Sequence, residues 1–267
     1  MNNYRAYFGF TKEPFSQTIN PEDLYPIKSQ IENTERIQYT INLGGVCVIT
    51  GEVGSGKSTS LRYGMSKLHP SLYRIIPVIA SSGSLLEIMR QICHSLEIEC
   101  KSHSIAQLLK TVRTVILEIA QRKQVPVLLI DEAHLMRVEV FREIHTINQF
   151  EMDSRPILPV ILAGQNVLID KLQYHSSRPL ASRVVGRSHL EGLRLKEMEG
   201  YLRHHLEIGG IKEQLFSEEA VVAIHQDSGG LLRKANLLAR GSLIRAAIEK
   251  TNVVTAEHVR IASTELI

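Results

Sequence analysis

The sequence contains no tryptophan, and only 5% of its 267 residues are aromatic, which leaves little material for a platform on which unpaired bases could stack. Cysteine is also scarce. Cys47, Cys93 and Cys100 form no C-x-x-C pair, so we expect buried, reduced thiols in a cytoplasmic protein. These scarcities exclude a disulfide scaffold and argue against a binder of single-stranded nucleic acid.

Long apolar runs are missing as well. No stretch approaches the about 18 to 20 apolar residues of a membrane helix, and the first residues lack an apolar signal core. There is no internal repeat, zinc-finger spacing or helix-turn-helix signature, so readout of base sequence is not expected. The net charge of +3 is small for a nucleic-acid-binding domain. With 43% hydrophobic and 22% charged residues, the composition is that of an ordinary globular protein.

Short apolar segments alternate with segments of helical periodicity over the first two-thirds of the chain. The predicted strands are 46–50, 73–80, 127–130 and 160–163, and the predicted helices are 29–43, 57–68, 85–96 and a long one from 105 onward. This alternation predicts an α/β fold in which a parallel sheet is covered by helices on both faces. After about Gly192 the pattern is helical only, with Ser217 and Thr255 as N-caps and a break at Gly229–Gly230. We therefore expect a lead-in and helix at 1–45 packed on a core at 46–191, followed by a helical lid at 192–267.

A glycine-rich loop follows the first predicted strand. Residues 51–58 (GEVGSGKS) fit the pattern G-x-x-x-x-G-K-[ST], between a strand and a helix as that pattern requires. Its backbone amides and the helix N-terminus would face phosphate oxygens, while Lys57 would reach the β- and γ-phosphates and Ser58 would bind Mg²⁺. The predicted nucleotide-binding residues are Glu52, Val53, Gly54, Ser55, Gly56, Lys57, Ser58 and Thr59.

Two acidic residues end the third predicted strand. A strand carries such residues to the carboxyl edge of a parallel sheet, where the phosphate loop also lies. We expect Asp131 to hold Mg²⁺ and Glu132 to polarise the attacking water. The predicted cofactors are therefore ATP and Mg²⁺.

Several classes of nucleotide enzyme share these two motifs. A GTPase would carry N-K-x-D, and a transporter ATPase would carry S-G-G-Q before the acidic motif. Neither signature is present at these places, so both classes are excluded. Asp131-Glu132-Ala133-His134 spells the acidic motif of a helicase group, but those helicases need a second motor domain. A small-molecule kinase remains open.

Three further segments resemble the AAA+ ATPases. The strand end Leu162–Gln165 matches the first-sensor position, Pro179–Arg187 the arginine-finger segment, and Gly229–Asn236 the second-sensor motif. The resemblance implies a three-layer P-loop core with a small helical lid. It also implies that Gln165 and Arg233 are sensors, and that, of Arg178, Arg183 and Arg187, Arg183 is the one donated in trans to a neighbouring subunit, with Arg187 next. Such a site would require an assembly.

The opening of the chain is similar to that of the ExeA-type AAA+ ATPases, through Phe8-Gly9-Phe10, Glu13-Pro14-Phe15, Asn20-Pro21 and Leu24-Tyr25. Full-length secretion members continue into a membrane span and a cell-wall-binding domain, which this chain lacks, so we expect a short form similar to the transposition regulators MuB, TnsC and TniB. That resemblance implies a homo-oligomeric ring or filament on duplex DNA, with a DDE-type transposase and possibly a targeting protein as partners. A secretion-apparatus ATPase acting on a protein partner is the alternative.

The residues expected to contact DNA lie after the second predicted strand and helix. They are Lys101, His103, Lys110 and Arg113. Contacts of this kind would neutralise backbone phosphates, and the salt dependence of binding would steepen by about 0.9 in log K for each phosphate neutralised.

Overall fold

The computed structural model describes residues 4–16, 18–81, 84–99, 104–150 and 156–265. The chain forms two compact units. The unit that we call the sheet unit comprises Lys28–Gly51 and Lys57–Leu190, and the unit that we call the helical unit comprises Met1–Ile27, Glu52–Gly56 and Glu191–Ile267.

The sheet unit is built on five parallel strands in the order β2-β3-β4-β1-β5. The strands are β1 Val46–Gly51, β2 Tyr73–Ile79, β3 Val125–Asp131, β4 Val160–Gly164 and β5 Val184–Leu190. Four of these confirm the predicted strands and the parallel sheet. β5 was not predicted, because its sequence VVGRSHL has no continuous apolar run. Its buried positions alternate with exposed ones, as expected for a strand at the edge of a sheet.

The helices are α1 Tyr4–Phe8, α2 Lys28–Leu43, α3 Lys57–Ser66, α4 Leu85–Ser95, α5 Ile105–Gln121, α6 Val138–Ile147, α7 Val167–Gln173, α8 Arg178–Ala181, α9 Leu195–Ile208, α10 Glu218–Ser228, α11 Leu232–Ile248 and α12 Ala256–Thr264. Short 3-10 turns occur at Pro21–Asp23, Ala133–Leu135 and His175–Ser177. Within the described residues, no helix is both long enough and apolar enough to cross a membrane.

Successive side chains of the central strand enter two different apolar clusters. Val46 and Val48 of β1 pack in the cluster that contains α4, α5 and α6, whereas Cys47 and Ile49 pack in the cluster that contains α2 and α3. This alternation is the period of two expected of a strand, so both faces of the sheet are covered by helices.

Pro77 is accommodated because β2 lies at the edge of the sheet and pairs only with β3. Side chains of α4 cover the outer edge of β2: Gln91 accepts a hydrogen bond from the amide of Ile79 at 2.9 Å, and Ser95 donates to the carbonyl of Pro77 at 2.5 Å. This helix begins as predicted, with Ser84 accepting a hydrogen bond from the amide of Glu87 at 3.2 Å.

The helical unit is assembled around α9 to α12. Ser217 and Thr255 act as the predicted N-caps, and Gly229, with φ of +58°, ends α10. The segment expected at 1–45 to pack on the core is divided: Lys28–Leu43 lies in the sheet unit, whereas the described residues before it lie in the helical unit. The reason is aromatic burial, since the ring of Phe15 stacks on His205 of α9 with centroids 5.0 Å apart.

Candidate active site

Lys57 is the first residue of α3, directly after the glycine-rich loop that follows β1. Its side chain is only 7% exposed, and Nζ donates a hydrogen bond of 2.9 Å to the carbonyl of Gly51 at the end of β1. This bond holds the ammonium group at the carboxyl edge of the sheet, the position that the phosphate-loop motif predicts for it.

The loop itself, Glu52–Gly56, has the backbone that its glycines permit. Gly54 and Gly56 have φ of +86° and +91°, a region that glycine enters without steric cost. The amide of Ser55 donates to the carbonyl of Glu52 at 3.1 Å, and the Ser55 hydroxyl is buried with no hydrogen-bond partner within the described part of the chain. A phosphate oxygen would satisfy this hydroxyl, so the loop fits a nucleotide.

Ser58 and Asp131 come together from α3 and β3. The Ser58 Oγ donates to Oδ2 of Asp131 at 2.9 Å, and Oδ1 of Asp131 accepts the amide of Glu132 at 2.9 Å. A hydroxyl and a carboxylate oxygen in contact are donors that suit Mg²⁺, which prefers oxygen ligands and keeps several waters. The predicted pairing of the two motifs is thus found in the fold.

Glu132 begins the turn after β3 in the left-handed region, with φ of +54°. Its Oε2 lies 3.3 Å from Nδ1 of His134, whose side chain is 10% exposed. Burial lowers the pKa of His134, although the carboxylate of Glu132 opposes that shift. Sequence reasoning quoted His134 only as a letter of the acidic motif and assigned no role to it.

Gln165 follows β4 directly. The register pairs Gly164 with Thr50 and Leu162 with Ile130, so β4, β1 and β3 end at the same edge of the sheet. Gln165 is partly buried there, and its sensor role remains a prediction.

Arg178, directly before the finger segment, and the two arginines within the segment differ in exposure. Arg183 is half-buried, donates to the carbonyl of Asn148 at 3.4 Å, and has its pKa lowered by burial. Arg178, at the start of α8, and Arg187, on β5, are exposed. Arg178 and Arg187 are therefore more accessible to a second chain than Arg183, which the sequence favoured, and the choice among the three remains a prediction.

Arg233 lies in the first turn of α11, in the helical unit. Its side chain is exposed, and its amide donates to the carbonyl of Gly54 at 3.2 Å. The loop before α11 packs closely against residues 192–193. A Cβ on Gly230 would lie 2.3 Å from the carbonyl oxygen of Leu193, and a Cβ on Gly192 would lie 2.3 Å from the carbonyl oxygen of Gly229. These contacts set the start of α11 beside the glycine-rich loop.

Of the four residues expected to contact DNA, the structure describes Lys110 and Arg113. Lys101 and His103 lie outside the described residues, and Lys110 is exposed on α5. Arg113 is turned inward: it donates to the carbonyls of Thr146, at 3.2 Å, and Gln149, and its guanidinium lies 4.9 Å from the ring centroid of Phe150. Its charge therefore lies at the carbonyl end of α6, and a contact of Arg113 with DNA remains a prediction.

Two kinds of sequence comparison agree with this geometry. Residues 41–172 match the family described as AAA domain. Over 98% of the chain, the sequence is 28% identical to the general secretion pathway protein A of Aeromonas hydrophila, and it spans 48% of that protein's length. The expected resemblance to the ExeA-type proteins is therefore supported as a distant similarity, whereas the resemblance to transposition regulators gains nothing from this relative.

Solved structures share the fold at low sequence identity. The Cdc6p structure from Pyrobaculum aerophilum aligns with a TM-score of 0.76 at 15% identity, covering 95% of this chain and 70% of that one. The Aeropyrum pernix ORC1 protein in complex with DNA gives 0.70 at 14% identity, covering 94% and 68%, and the Thermotoga maritima RuvB branch migration motor gives 0.57 at 17%, covering 90% and 70%. The chain thus has an AAA+ fold like that of Cdc6 and ORC proteins, in which residues 41–172 match the AAA domain family and a helical region follows.

Proposed function

We propose that this chain hydrolyses ATP and uses the cycle to act on a protein partner, as an ATPase of a secretion apparatus would. The observation that carries the hydrolysis is the 2.9 Å hydrogen bond between Ser58 and Asp131, which joins the phosphate-loop motif to the acidic motif. Lys57 is held at the same edge of the sheet by its bond to Gly51.

Each residue has a role that follows from its chemistry. Lys57 binds the β- and γ-phosphates, and Ser58 and Asp131 hold Mg²⁺. The ion, when bound, neutralises phosphate charge and draws electron density from the terminal phosphate. Glu132 accepts a proton from the water that attacks that phosphate, a general-base role worth about 10²- to 10⁴-fold in rate.

We prefer the secretion-type role because the sequence similarity that supports it extends along this chain. The similarity to general secretion pathway protein A extends over 98% of this chain. The transposition alternative needs a DNA surface, and of the two described residues expected there, Lys110 is exposed whereas Arg113 donates to the carbonyls of Thr146 and Gln149.

An assembly completes the site in this proposal. Arg178, Arg183 and Arg187 are the candidates for a cation donated to a neighbouring subunit, and such a cation contributes about 10³- to 10⁵-fold in related phosphoryl-transfer enzymes. Specific activity should therefore rise with protein concentration.

The experiment that tests the hydrolysis is phosphate release from ATP by wild type and Glu132→Gln over a range of protein concentrations. We expect the variant to bind ATP normally and to hydrolyse it at least about 10²-fold more slowly. Wild-type hydrolysis by Glu132→Gln would contradict the role of Glu132. Transfer of phosphate to a small acceptor by a monomer would point instead to a kinase.

The partner is tested by two binding measurements, each with ATP and with ADP. Fluorescence anisotropy on unrelated labelled duplexes measures DNA binding, and surface plasmon resonance on a purified secretin complex measures binding to a secretion partner. ATP-dependent binding to the secretin without DNA binding supports the proposal. Cooperative, salt-sensitive binding to duplex DNA only with ATP would overturn it in favour of the transposition regulator.

A further inference from the structure

The backbone of Glu132 has a conformation that the surrounding structure has to maintain. Its φ of +54° and ψ of +30° lie in the left-handed region, which costs a residue other than glycine about 1 to 2 kcal/mol. Such conformations persist where neighbouring contacts determine them, and they cluster at functional sites. The contacts that maintain the backbone of Glu132 are therefore expected around the following turn, Ala133–Leu135.

Two elements clamp this turn from outside it. Lys171 of α7 donates hydrogen bonds to the carbonyls of His134 and Met136, the second at 2.7 Å. Gly164, at the end of β4, lies so close that a Cβ there would be 3.0 Å from the backbone nitrogen of His134 and 3.2 Å from its Nδ1. The backbone and the ring of His134 are thus held from two sides.

The held ring faces the carboxylate of Glu132. Nδ1 of His134 is 3.3 Å from Oε2, yet it is buried and makes no hydrogen bond within the described part of the chain. A buried nitrogen without a partner is costly, and a small rotation of the Glu132 side chain, whose exposed fraction is 41%, would bring Oε2 into line with an Nδ1–H donor.

We infer that His134 is a positioning residue for Glu132: its Nδ1–H binds Oε2 and leaves Oε1 free to accept the proton of the attacking water. This inference rests on the proposed ATPase function. A misplacement of about 1 Å in a catalytic group can cost about 10²-fold in rate, so loss of the donor should lower kcat and leave ATP affinity unchanged.

The alternative is that His134 only fills space beside Gly164. Two substitutions separate the roles, since His134→Asn keeps a donor near the position of Nδ1, whereas His134→Leu keeps the volume without a donor. The matched control is His94→Leu, because His94 is exposed on α4. Glu132→Gln is measured beside them.

The measurements are kcat and KM for ATP, ATP affinity and melting temperature. We expect His134→Leu to lower kcat about 10- to 100-fold with ATP affinity within about twofold of wild type, and His134→Asn to recover most of the loss. Equal kcat in His134→Leu and wild type, with Glu132→Gln inactive, would overturn the inference and leave the ATPase proposal standing. Equal losses in the two His134 variants would also overturn the inference, because a donor kept by His134→Asn would not restore activity, and an active Glu132→Gln would overturn both proposals.

A second variant keeps the inference testable if His134→Leu does not fold. Lys171→Met removes the bonds to the carbonyls of His134 and Met136 without touching either ring or carboxylate. We expect a lower kcat with ATP affinity retained, and a wild-type kcat in a folded Lys171→Met would overturn the positioning role of the turn.

Discussion

The amide of Arg233 donates a hydrogen bond of 3.2 Å to the carbonyl of Gly54, so the first turn of α11 lies against the glycine-rich loop. A side chain at Gly54 would be crowded there. A Cβ would lie 3.0 Å from the Cβ of Arg233, and φ is +86°. Glycine is therefore favoured at position 54 by the contact with α11 as well as by the positive φ of the loop.

Gly54→Ala is expected to weaken nucleotide binding at least about 10-fold, because strain of about 1 to 2 kcal/mol in φ adds to the contact with Arg233. The measurement is titration with a fluorescent ATP analogue, with melting temperature recorded in parallel. Gly9→Ala is the matched control, since its φ is +77° but a Cβ would meet only Ile211 at 3.9 Å. Equal ATP affinities in the two variants would contradict the prediction.

Ser58→Ala is expected to raise the Mg²⁺ concentration needed for hydrolysis by about 10- to 100-fold. The substitution removes a hydroxyl that contacts Asp131 at 2.9 Å, and a hydrogen bond to a charged group contributes about 1.5 to 3 kcal/mol. Hydrolysis is measured as Mg²⁺ is varied. Ser58→Thr keeps the hydroxyl and should stay close to wild type, so loss of activity in both variants would show that the hydroxyl is not the cause.

Arg183→Ala is expected to lower the melting temperature, because the half-buried guanidinium donates to the carbonyl of Asn148. Arg178→Ala and Arg187→Ala change exposed residues and should leave stability within about 0.5 kcal/mol. The arginine donated in trans is the one whose substitution abolishes hydrolysis while ATP affinity is retained. Its variant should also regain activity when it is mixed with Lys57→Met. If each of the three variants hydrolyses ATP like wild type, no arginine of this segment is the finger.

Arg113→Ala is expected to destabilise the sheet unit and to leave any DNA affinity unchanged, because Arg113 bonds the carbonyls of Thr146 and Gln149. Leaving a carbonyl unpaired costs up to about 1 to 3 kcal/mol when it is buried, and these two carbonyls are partly buried. Lys110→Ala, on the exposed side of α5, is the control for stability. A normal melting temperature with reduced DNA binding in Arg113→Ala would contradict the structural role.

The stability of the helical unit is expected to fall as the pH is lowered from about 6.5 toward 3. Burial, and then the charge of His204, lowers the pKa of His205 from 6.5 to about 3 in the folded protein. Between these values the unfolded chain binds a proton that the folded chain does not, so each pH unit costs about 1.4 kcal/mol.

Urea unfolding at pH 7, 6 and 5 measures this dependence. His205→Phe, which keeps an aromatic ring beside Phe15 and Tyr201, should flatten it. An unchanged slope in that variant would show that other groups cause the loss of stability.

The amino-acid sequence by itself determined the parts of this protein that are contiguous in the chain. The glycine-rich loop, the two acids at the end of β3 and the helix caps at Ser217 and Thr255 depend on neighbours within a few residues. The layered α/β architecture followed in the same way, since burial on both faces leaves β1 and β4 as short apolar runs.

The tertiary structure decided whatever depends on distant segments meeting. It made β5 a strand through pairing with β1, turned Arg113 toward the end of α6, and placed Phe15 against His205. It also set His134 between Gly164, Lys171 and Glu132, a contact that no spacing in the sequence encodes. The physical reason is that the role of a charged or aromatic side chain depends on the groups around it. Those groups come from several elements of the fold.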